Sequence, residues 1–424
     1  MLDINLIRET PDLVRAGMLK RGMDSSPVDE AIRIDSRWRD LLQVVEGLKA
    51  ERNTVSKEIG KMKDQADREA KIAAMREVGD RIKSLDEEVK QLENELNAVM
   101  SIIPNIPDVR VPDGITEEDN VEVRRWGDHP VGDFEYKPHW DLGPELGILD
   151  FERGVKLAGS RFYVLQGAGA RLQRALISFM LDLHAKQGYT EMYGPFIVRG
   201  EILYGAGQLP KFAENLYKDH EEDLYLLPTS EVSLTGMHMD EIFEEKDLPL
   251  NYTAYSPCFR REKMSAGRDV RGIKRGHQFD KVEMYKFCLP ENSNEELENM
   301  VKDAEETCQL LGIPYRIVLK CAGDTSETAK ISYDIDAWSA GCQEWLEVSS
   351  ISNVGDYQAR RALIRYRPEN GGSPRPLHTL NGSGLGLPRV MIALLENNQQ
   401  SDGSVVIPPV LVPWMGGIEV LRPA

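Results

Sequence analysis

Apolar positions between residues 34 and 99 recur in alternating steps of four and three. That spacing lays a single seam along a helix and suits a coiled coil. Ile34, Trp38, Leu41, Val45, Leu48, Val55, Ile59 and Met62 form the first run, with Arg52 as its polar interruption. Met75, Val78, Ile82, Leu85, Val89, Leu92, Leu96 and Val99 form an unbroken second run. The stretch between them, residues 61–71, is charged and carries no seam, so it predicts the turn. Matched lengths and a short polar link favour an intramolecular antiparallel hairpin, about 50 Å long, over a dimerising coiled coil. Ahead of it, residues 12–20 predict one helix in a compact piece that ends near residue 27.

Past the hairpin the rhythm changes. Residues 104–114 contain Pro104, Pro107, Pro112 and Gly114 and predict a linker. The expected organisation is an N-terminal domain over residues 1–103, with its arm at 28–101, and a second domain over 104–424. Residues 171–185 read as an amphipathic helix leading to a strand broken by Pro195. Runs such as 315–321 and 344–352 read as strands without the regular helices a doubly wound parallel sheet needs. An antiparallel sheet flanked by helices, hence an α+β class, is the expectation. Residues 377–397 read as a strand, a glycine-bearing turn and an amphipathic helix. Pro388 would sit in that helix's first turn, where its missing N–H does no harm, and Arg389 follows it.

The chain has 424 residues, 41% hydrophobic and 29% charged, enough for two or three domains. No apolar run approaches the roughly 20 residues of a membrane span, and the N-terminus lacks the features of a signal peptide. Five cysteines without a C-x-x-C pair predict free thiols in a reducing cytoplasm, not disulfides or structural zinc. A net charge of −18 argues against a non-specific nucleic-acid coat. A nucleic-acid partner touched by local patches stays possible, because binding depends on the contacting charges. The hairpin carries 14 basic and 17 acidic residues between positions 28 and 101, so charge alone selects no partner for it.

Against that acidic background, seven residues between Arg260 and Arg275 are basic and two are acidic. Runs reading as strands, 252–255 and 281–287, flank this segment. A long cationic loop between two strands predicts a polyphosphate ligand. Three further clusters accompany it. Thr229, Ser230 and Glu231 set hydroxyls and a carboxylate beside an apolar run. In residues 347–353, strand alternation places Glu347 and Ser349 on one face, and Ser350 joins Glu347 if the strand ends in a turn. The small-residue turn before Pro388 is a generic anion-friendly device.

These clusters, in this order, resemble the class II aminoacyl-tRNA synthetases, and within them the seryl-tRNA synthetase family. The resemblance covers essentially the whole chain. It rests on the hairpin arm, Thr229-Ser230-Glu231, Phe259-Arg260-Arg261-Glu262, the stretch Gly276 to Glu283, the stretch Glu347 to Asn353, and Asn381 to Leu385. The stretch Pro195 to Val198 is similar to the family's first motif, which builds a dimer interface.

The resemblance implies a homodimeric ligase that joins L-serine to tRNA(Ser) using ATP and Mg²⁺. Arg260, Glu347 and Arg389 are then the catalytic residues. Arg260 grips the α-phosphate and the serine carboxylate, and a planar guanidinium suits such oxygens. Glu262 holds the adenine amino group and Phe279 stacks on the ring. Arg389 brackets the other side of the ring and reaches the γ-phosphate; Arg275 is a second candidate for that role, and Gly276 belongs to the same ATP set. Glu347 and Ser350 ligate Mg²⁺ as hard oxygen donors. Thr229, Ser230, Glu231, Glu283, Asn381 and Ser383 surround serine. The arm would bind the tRNA's long variable arm, with Lys61, Lys63, Arg68 and Lys71 as phosphate contacts.

Three departures from the family pattern stand out. Lys263 and Met264 follow Glu262 where alanine and glycine are usual; Ser230 replaces an alanine; and Gly386-Leu387-Pro388 precedes Arg389 where alanine, valine and glycine are common. Arg268 and Arg271 receive no role. Two other readings fit the residues: an enzyme activating a small amino acid for a carrier protein, and a catalytically silent coiled-coil interaction protein.

Overall fold

A computed structural model describes residues 1–263 and 270–423. Met264 and Arg268 lie outside the described residues. The chain divides into two compact units, Leu2–Pro104 and a larger one over residues 105–424.

The N-terminal unit opens with two short helices, α1 (Ile4–Glu9) and α2 (Pro11–Lys20), where the sequence predicts one. Asp3 caps α1 through its side chain, and Pro11 starts α2 afresh, which explains the break at Thr10. Helices α3 (Ser26–Ile59) and α4 (Gln65–Ile102) then pair as a hairpin. Ile34 and Val45 on α3 and Ile82 and Leu92 on α4 are buried members of the predicted seam. Toward the turn the seam residues are only partly covered, because two helices alone cannot enclose a side chain. Arg37–Glu88 (2.5 Å) and Lys49–Asp86 (2.8 Å) bridge the helices. Exposed pairs of this kind contribute at most about 1 kcal/mol each, so the seam carries the pairing.

The turn is shorter than the charged stretch 61–71 suggests. Asp64 accepts a hydrogen bond from the Asp67 amide (3.0 Å) and starts α4 at Gln65. The following charged residues are good helix formers and need no seam to stay helical. Lys61 and Lys63 therefore lie in the turn, whereas Arg68 and Lys71 lie on α4; all four are exposed. Lys71 is paired with Glu58 at 3.0 Å.

The larger unit is built on one eight-stranded sheet. Its strands are β1 (Val121–Trp126), β2 (Thr190–Glu191), β3 (Leu250–Phe259), β4 (Gln278–Cys288), β5 (Tyr315–Leu319), β6 (Ile331–Ser339), β7 (Glu344–Gly355) and β8 (His378–Gly386). Their spatial order is β1-β5-β6-β7-β8-β4-β3-β2, antiparallel except for the short edge pair β2–β3. Six helices matter for the site: α5 (His139–Glu145), α6 (Ala168–Lys186), α7 (Ser230–Gly236), α8 (Ser293–Leu310), α9 (Tyr357–Arg361) and α10 (Leu387–Asn397).

Alternation divides the sheet into two faces. Val282 and Met284 of β4 enter a core with Leu172 and Met180 of α6, Met300 of α8 and Val390 of α10. The intervening residues Lys281, Glu283 and Tyr285 face the other way, where the site lies. The glycines at 382–386 form no turn. Strand β8 runs through them and passes directly into α10. The close packing explains their size: a Cβ on Gly382 would collide with Ile351, and one on Gly384 with His184.

Candidate active site

Strands β3 and β4 pair from Leu250–Phe287 to Phe259–Gln278, so Arg260 and His277 stand at the mouth of the hairpin as the basic loop leaves it. The Arg260 amide donates to the His277 carbonyl at 2.9 Å. The Arg260 guanidinium donates to the Pro228 carbonyl at 3.1 Å and lies over the Phe279 ring, 5.1 Å from its centroid. A cation on an aromatic face is favourable, and here it fixes both groups at the wall of a cavity of about 400 Å³.

One end of that cavity is cationic. Lys274, Arg275 and Arg389 line it beside Arg260, and Gly276 adds backbone there. Arg275 pairs with Glu262 at 2.8 Å. Arg389 follows Pro388 in the first turn of α10 and donates to the Glu347 carbonyl (2.7 Å) and the Lys274 carbonyl (3.3 Å). Lys274 is paired with Glu344. Arg261 points elsewhere, donating to the Leu216 carbonyl (2.9 Å) and lying over Tyr217. Arg271 lies over Trp140.

The other end is acidic. Thr229 caps α7, which places Glu231 in the helix's first turn. The Glu231 carboxylate accepts from Gln358 Nε2 (2.6 Å) and Asn381 Nδ2 (2.7 Å). Burial and the neighbouring Glu283 charge push its pKa up to about 7. Thr229 Oγ1 donates to Glu283 Oε2 at 3.0 Å, and Lys281 reaches both of them. Ser383 stands directly across from Glu283 on β8. Ser230, expected among these residues, is buried on the far side of α7, where its hydroxyl bonds Ser256 at 2.6 Å. It does not line the cavity, because consecutive residues of a helix face different ways.

Glu347, Ser350 and Ser352 also line the cavity. No turn brings Glu347 and Ser350 together. In the β6–β7 register, Asp336 faces Glu347 and Ile335 faces Ser349, so Val348 is an extra residue, a β-bulge. The bulge resets the alternation, and Ser349 turns to the core side, where its hydroxyl bonds the Ser383 carbonyl (2.5 Å). Asp334 sits opposite Ser350. One of its oxygens accepts from Lys320 (2.9 Å), and the other is buried without a hydrogen-bond partner among the described residues. Desolvation raises the Glu347 pKa, and Arg389 and Lys320 more than reverse it, keeping the group below its ordinary value. The charged Glu347 carboxylate and the Ser350 hydroxyl, both lining the cavity, are hard donors that fit Mg²⁺.

Lys281, Lys274, Gln208 and Ser352 also line the cavity without a role predicted from the sequence, and Gln358 supports it from behind. Lys281 was accessible through the two-residue spacing of Phe279, Lys281 and Glu283 along β4. Gln358 lies on α9 behind the cavity and offered no such signal.

With this geometry, the chain can be compared with known proteins. Residues 1–107 match the seryl-tRNA synthetase N-terminal domain, and residues 212–398 match the tRNA synthetase class II core domain (G, H, P, S and T). A serine–tRNA ligase of a Roseiflexus species is 61% identical over 422 residues, spanning 100% of both chains. One from Chloroflexus aurantiacus is 56% identical over 423 residues, again 100% of both. The crystal structure of seryl-tRNA synthetase from Pyrococcus horikoshii complexed with ATP superposes with a TM-score of 0.94 at 41% identity, covering 100% of each chain. The cytoplasmic serine–tRNA ligase of Naegleria fowleri in complex with AMP gives 0.88 at 34% identity, covering 100% of this chain and 99% of the other. The chain therefore belongs to the seryl-tRNA synthetase family of class II aminoacyl-tRNA synthetases.

Proposed function

We propose that this chain, a serine–tRNA ligase by family, binds serine at the acidic end of the cavity and ATP at the cationic end, and joins them between. The observation that carries this reading is the convergence on one cavity of the Glu231 and Glu283 carboxylates and the guanidinium groups of Arg260, Arg275 and Arg389. Serine is an ammonium, a hydroxyl and a carboxylate. Thr229 with Glu231 suits the ammonium, and Glu283, Asn381 and Ser383 surround the hydroxyl. A site that hydrogen-bonds a hydroxyl rejects analogues lacking it, because its own polar groups are then stranded.

In the first step the serine carboxylate attacks the α-phosphorus in line. A carboxylate–phosphorus bond forms, the bond to the β-phosphate oxygen breaks, and pyrophosphate leaves. Arg260, held over Phe279 and against the Pro228 carbonyl, orients the nucleophile and receives the developing phosphoryl charge. Lys274, Arg275 and Arg389 neutralise the leaving group, and Phe279 and Glu262 hold the adenine. Catalysis is positioning and electrostatics with no covalent enzyme intermediate. Glu347 and Ser350 would hold Mg²⁺, which supplies charge neutralisation to the phosphates when bound. In the second step a terminal ribose hydroxyl of tRNA(Ser), by family precedent the 3′ one, attacks the activated carbonyl and AMP leaves.

The hairpin α3–α4 serves as the tRNA-binding arm, with Lys61, Lys63 and Arg68 free to meet phosphates and Lys71 first having to leave Glu58. A homodimer is supported by apolar surface around Pro195, where Tyr193 and Ile197 are 79% and 52% exposed. A cytoplasmic setting suits five free cysteines and the absence, among the described residues, of a helix able to cross a membrane. Pyrophosphate exchange across a panel of amino acids, followed by charging of tRNA(Ser), tests the assignment. Serine alone should support exchange; exchange driven equally by alanine or threonine would refute it.

A further inference from the structure

Behind the cationic end of the cavity lies a buried cluster that the reaction itself does not use. His139, at the start of α5, and Glu396, in the last turn of α10, are both fully buried. His139 Nδ1 and the Glu396 carboxylate are 2.8 Å apart. His139 Nε2 accepts the Ile273 amide proton at 3.0 Å. Because that nitrogen accepts, the ring proton sits on Nδ1 and is given to Glu396. Glu396 is saturated. One oxygen receives the His139 amide, Nδ1 and the Cys342 thiol, and the other receives the Ser339 hydroxyl and the amides of Gly341 and Cys342.

His139, Cys342 and Glu396 have ligand atoms within 4.8 Å of one another, which invites a metal reading. The protons already directed at Glu396 and at Nε2 leave no lone pair of those groups aimed at an ion. A brace is the better description. Its load is the limb Arg271–Gly276, which ends the basic loop and carries Lys274 and Arg275 into the cavity. Gly272 passes so close to His139, with φ +64°, that a Cβ there would collide with Nε2. Trp140, the next residue, lies under Arg271 and Lys274, at 4.6 and 5.1 Å from its ring centroid. Helix α10 holds the limb a second time, since Arg389 donates to the Lys274 carbonyl at 3.3 Å. Arg389 and Glu396 are seven residues apart and so share a helix face.

We propose that His139 is a positioning residue for ATP: through Glu396 it locks the Ile273 amide to α10, and so fixes Lys274 and Arg275 in register with Arg389 around the phosphates. This rests on the placement of ATP given above. The serine end is built on α7, β4 and β8 and does not depend on the brace. Steady-state pyrophosphate exchange on the full-length protein tests it with His139→Phe, His139→Gln and Gly272→Ala. Removing the acceptor with phenylalanine should raise KM for ATP about tenfold, the effect of losing one buried hydrogen bond, and leave KM for serine within about twofold. Glutamine, which carries both an acceptor and a donor, should restore most of the loss. Gly272→Ala should give the same ATP-selective defect from the loop side, and it decides the matter if His139→Phe does not fold. Equal rises in both KM values, or an unchanged KM for ATP with only a lower melting temperature, would overturn the proposal. Loss of serine-dependent exchange in the unmodified protein would instead count against the ATP and serine assignment itself.

Discussion

Glu347 and Ser350 point to the same side of β7 although they stand three positions apart, because Val348 bulges out between them. In a regular strand they would face opposite ways. The bulge is thus the local feature that assembles the proposed Mg²⁺ ligands, with Asp334 opposite Ser350 and Asp336 opposite Glu347. Substituting Glu347→Gln removes the charge while keeping the shape. The Mg²⁺ concentration needed for half-maximal pyrophosphate exchange should rise by about tenfold to a hundredfold. A Mg²⁺ titration of the exchange rate checks this, and an unchanged requirement would remove Glu347 from the metal site.

On the proposed assignment, Glu231 makes the serine end sensitive to pH. Its pKa stands at about 7 against an ordinary value of 4.5, raised by burial and then by Glu283. Only the ionised form attracts the serine ammonium, so KM for serine should fall as pH rises from 6 to 8. A carboxyl with a raised folded-state pKa contributes stability below its unfolded value and loses it as pH climbs through the folded value. Glu231→Gln, whose amide oxygen can still accept from Gln358 and Asn381, should therefore melt higher than the unmodified protein at pH 8 and show no such advantage at pH 4. Its KM for serine should be high and flat with pH. A flat serine KM profile in the unmodified protein would contradict this assignment.

Gln358 is fully buried on α9 and donates to both Glu231 and the Ala206 carbonyl. Its own oxygen accepts from Thr379 (2.7 Å) and Tyr285 (3.1 Å). Gln358→Leu strands these groups at a cost of about 1–3 kcal/mol and frees Glu231 to rotate. KM for serine should rise while KM for ATP stays close to its original value. Parallel rises in both, measured by exchange kinetics, would reduce Gln358 to a purely structural role.

Much of this was legible in the residues, and the failures have physical causes. The seam through Ile34, Val45, Ile82 and Leu92 predicts the helix pair, since apolar periodicity needs no tertiary knowledge. Residues 65–71 read as a turn but are helical, because charged residues extend a helix as readily as they fill a loop, and the Asp64 cap decides between them. The excess of cations between Arg260 and Arg275 announces an anion site. Strand alternation alone pairs Glu347 with Ser349; Ser350 joins it through a bulge, not the expected turn, because a bulge leaves no mark in one sequence. Gly382 and Gly384 suggested a turn, yet they are small to admit Ile351 and His184 against the strand. Ser230 was grouped with its neighbours by chain position, and the helix turned it away. Gln358 and His139 act from elements distant in sequence, so only folding reveals what they touch.

Residues Leu2–Pro104 form a compact unit of their own, and none of them lines the cavity. Deleting about residues 30–100, the span of the paired helices, should leave serine-dependent pyrophosphate exchange measurable while charging of tRNA(Ser) collapses. Charging that survives the deletion would show that α3 and α4 do not bind the tRNA.

The most direct test is serine-dependent pyrophosphate exchange with Arg260→Ala. Arg260 lines the cavity, held over Phe279 and against the Pro228 carbonyl, and loss of such a preorganised cation should lower the exchange rate by about a thousandfold, with the fold retained by circular dichroism. A folded Arg260→Ala protein that exchanges pyrophosphate at close to the original rate would mean that serine and ATP do not meet there.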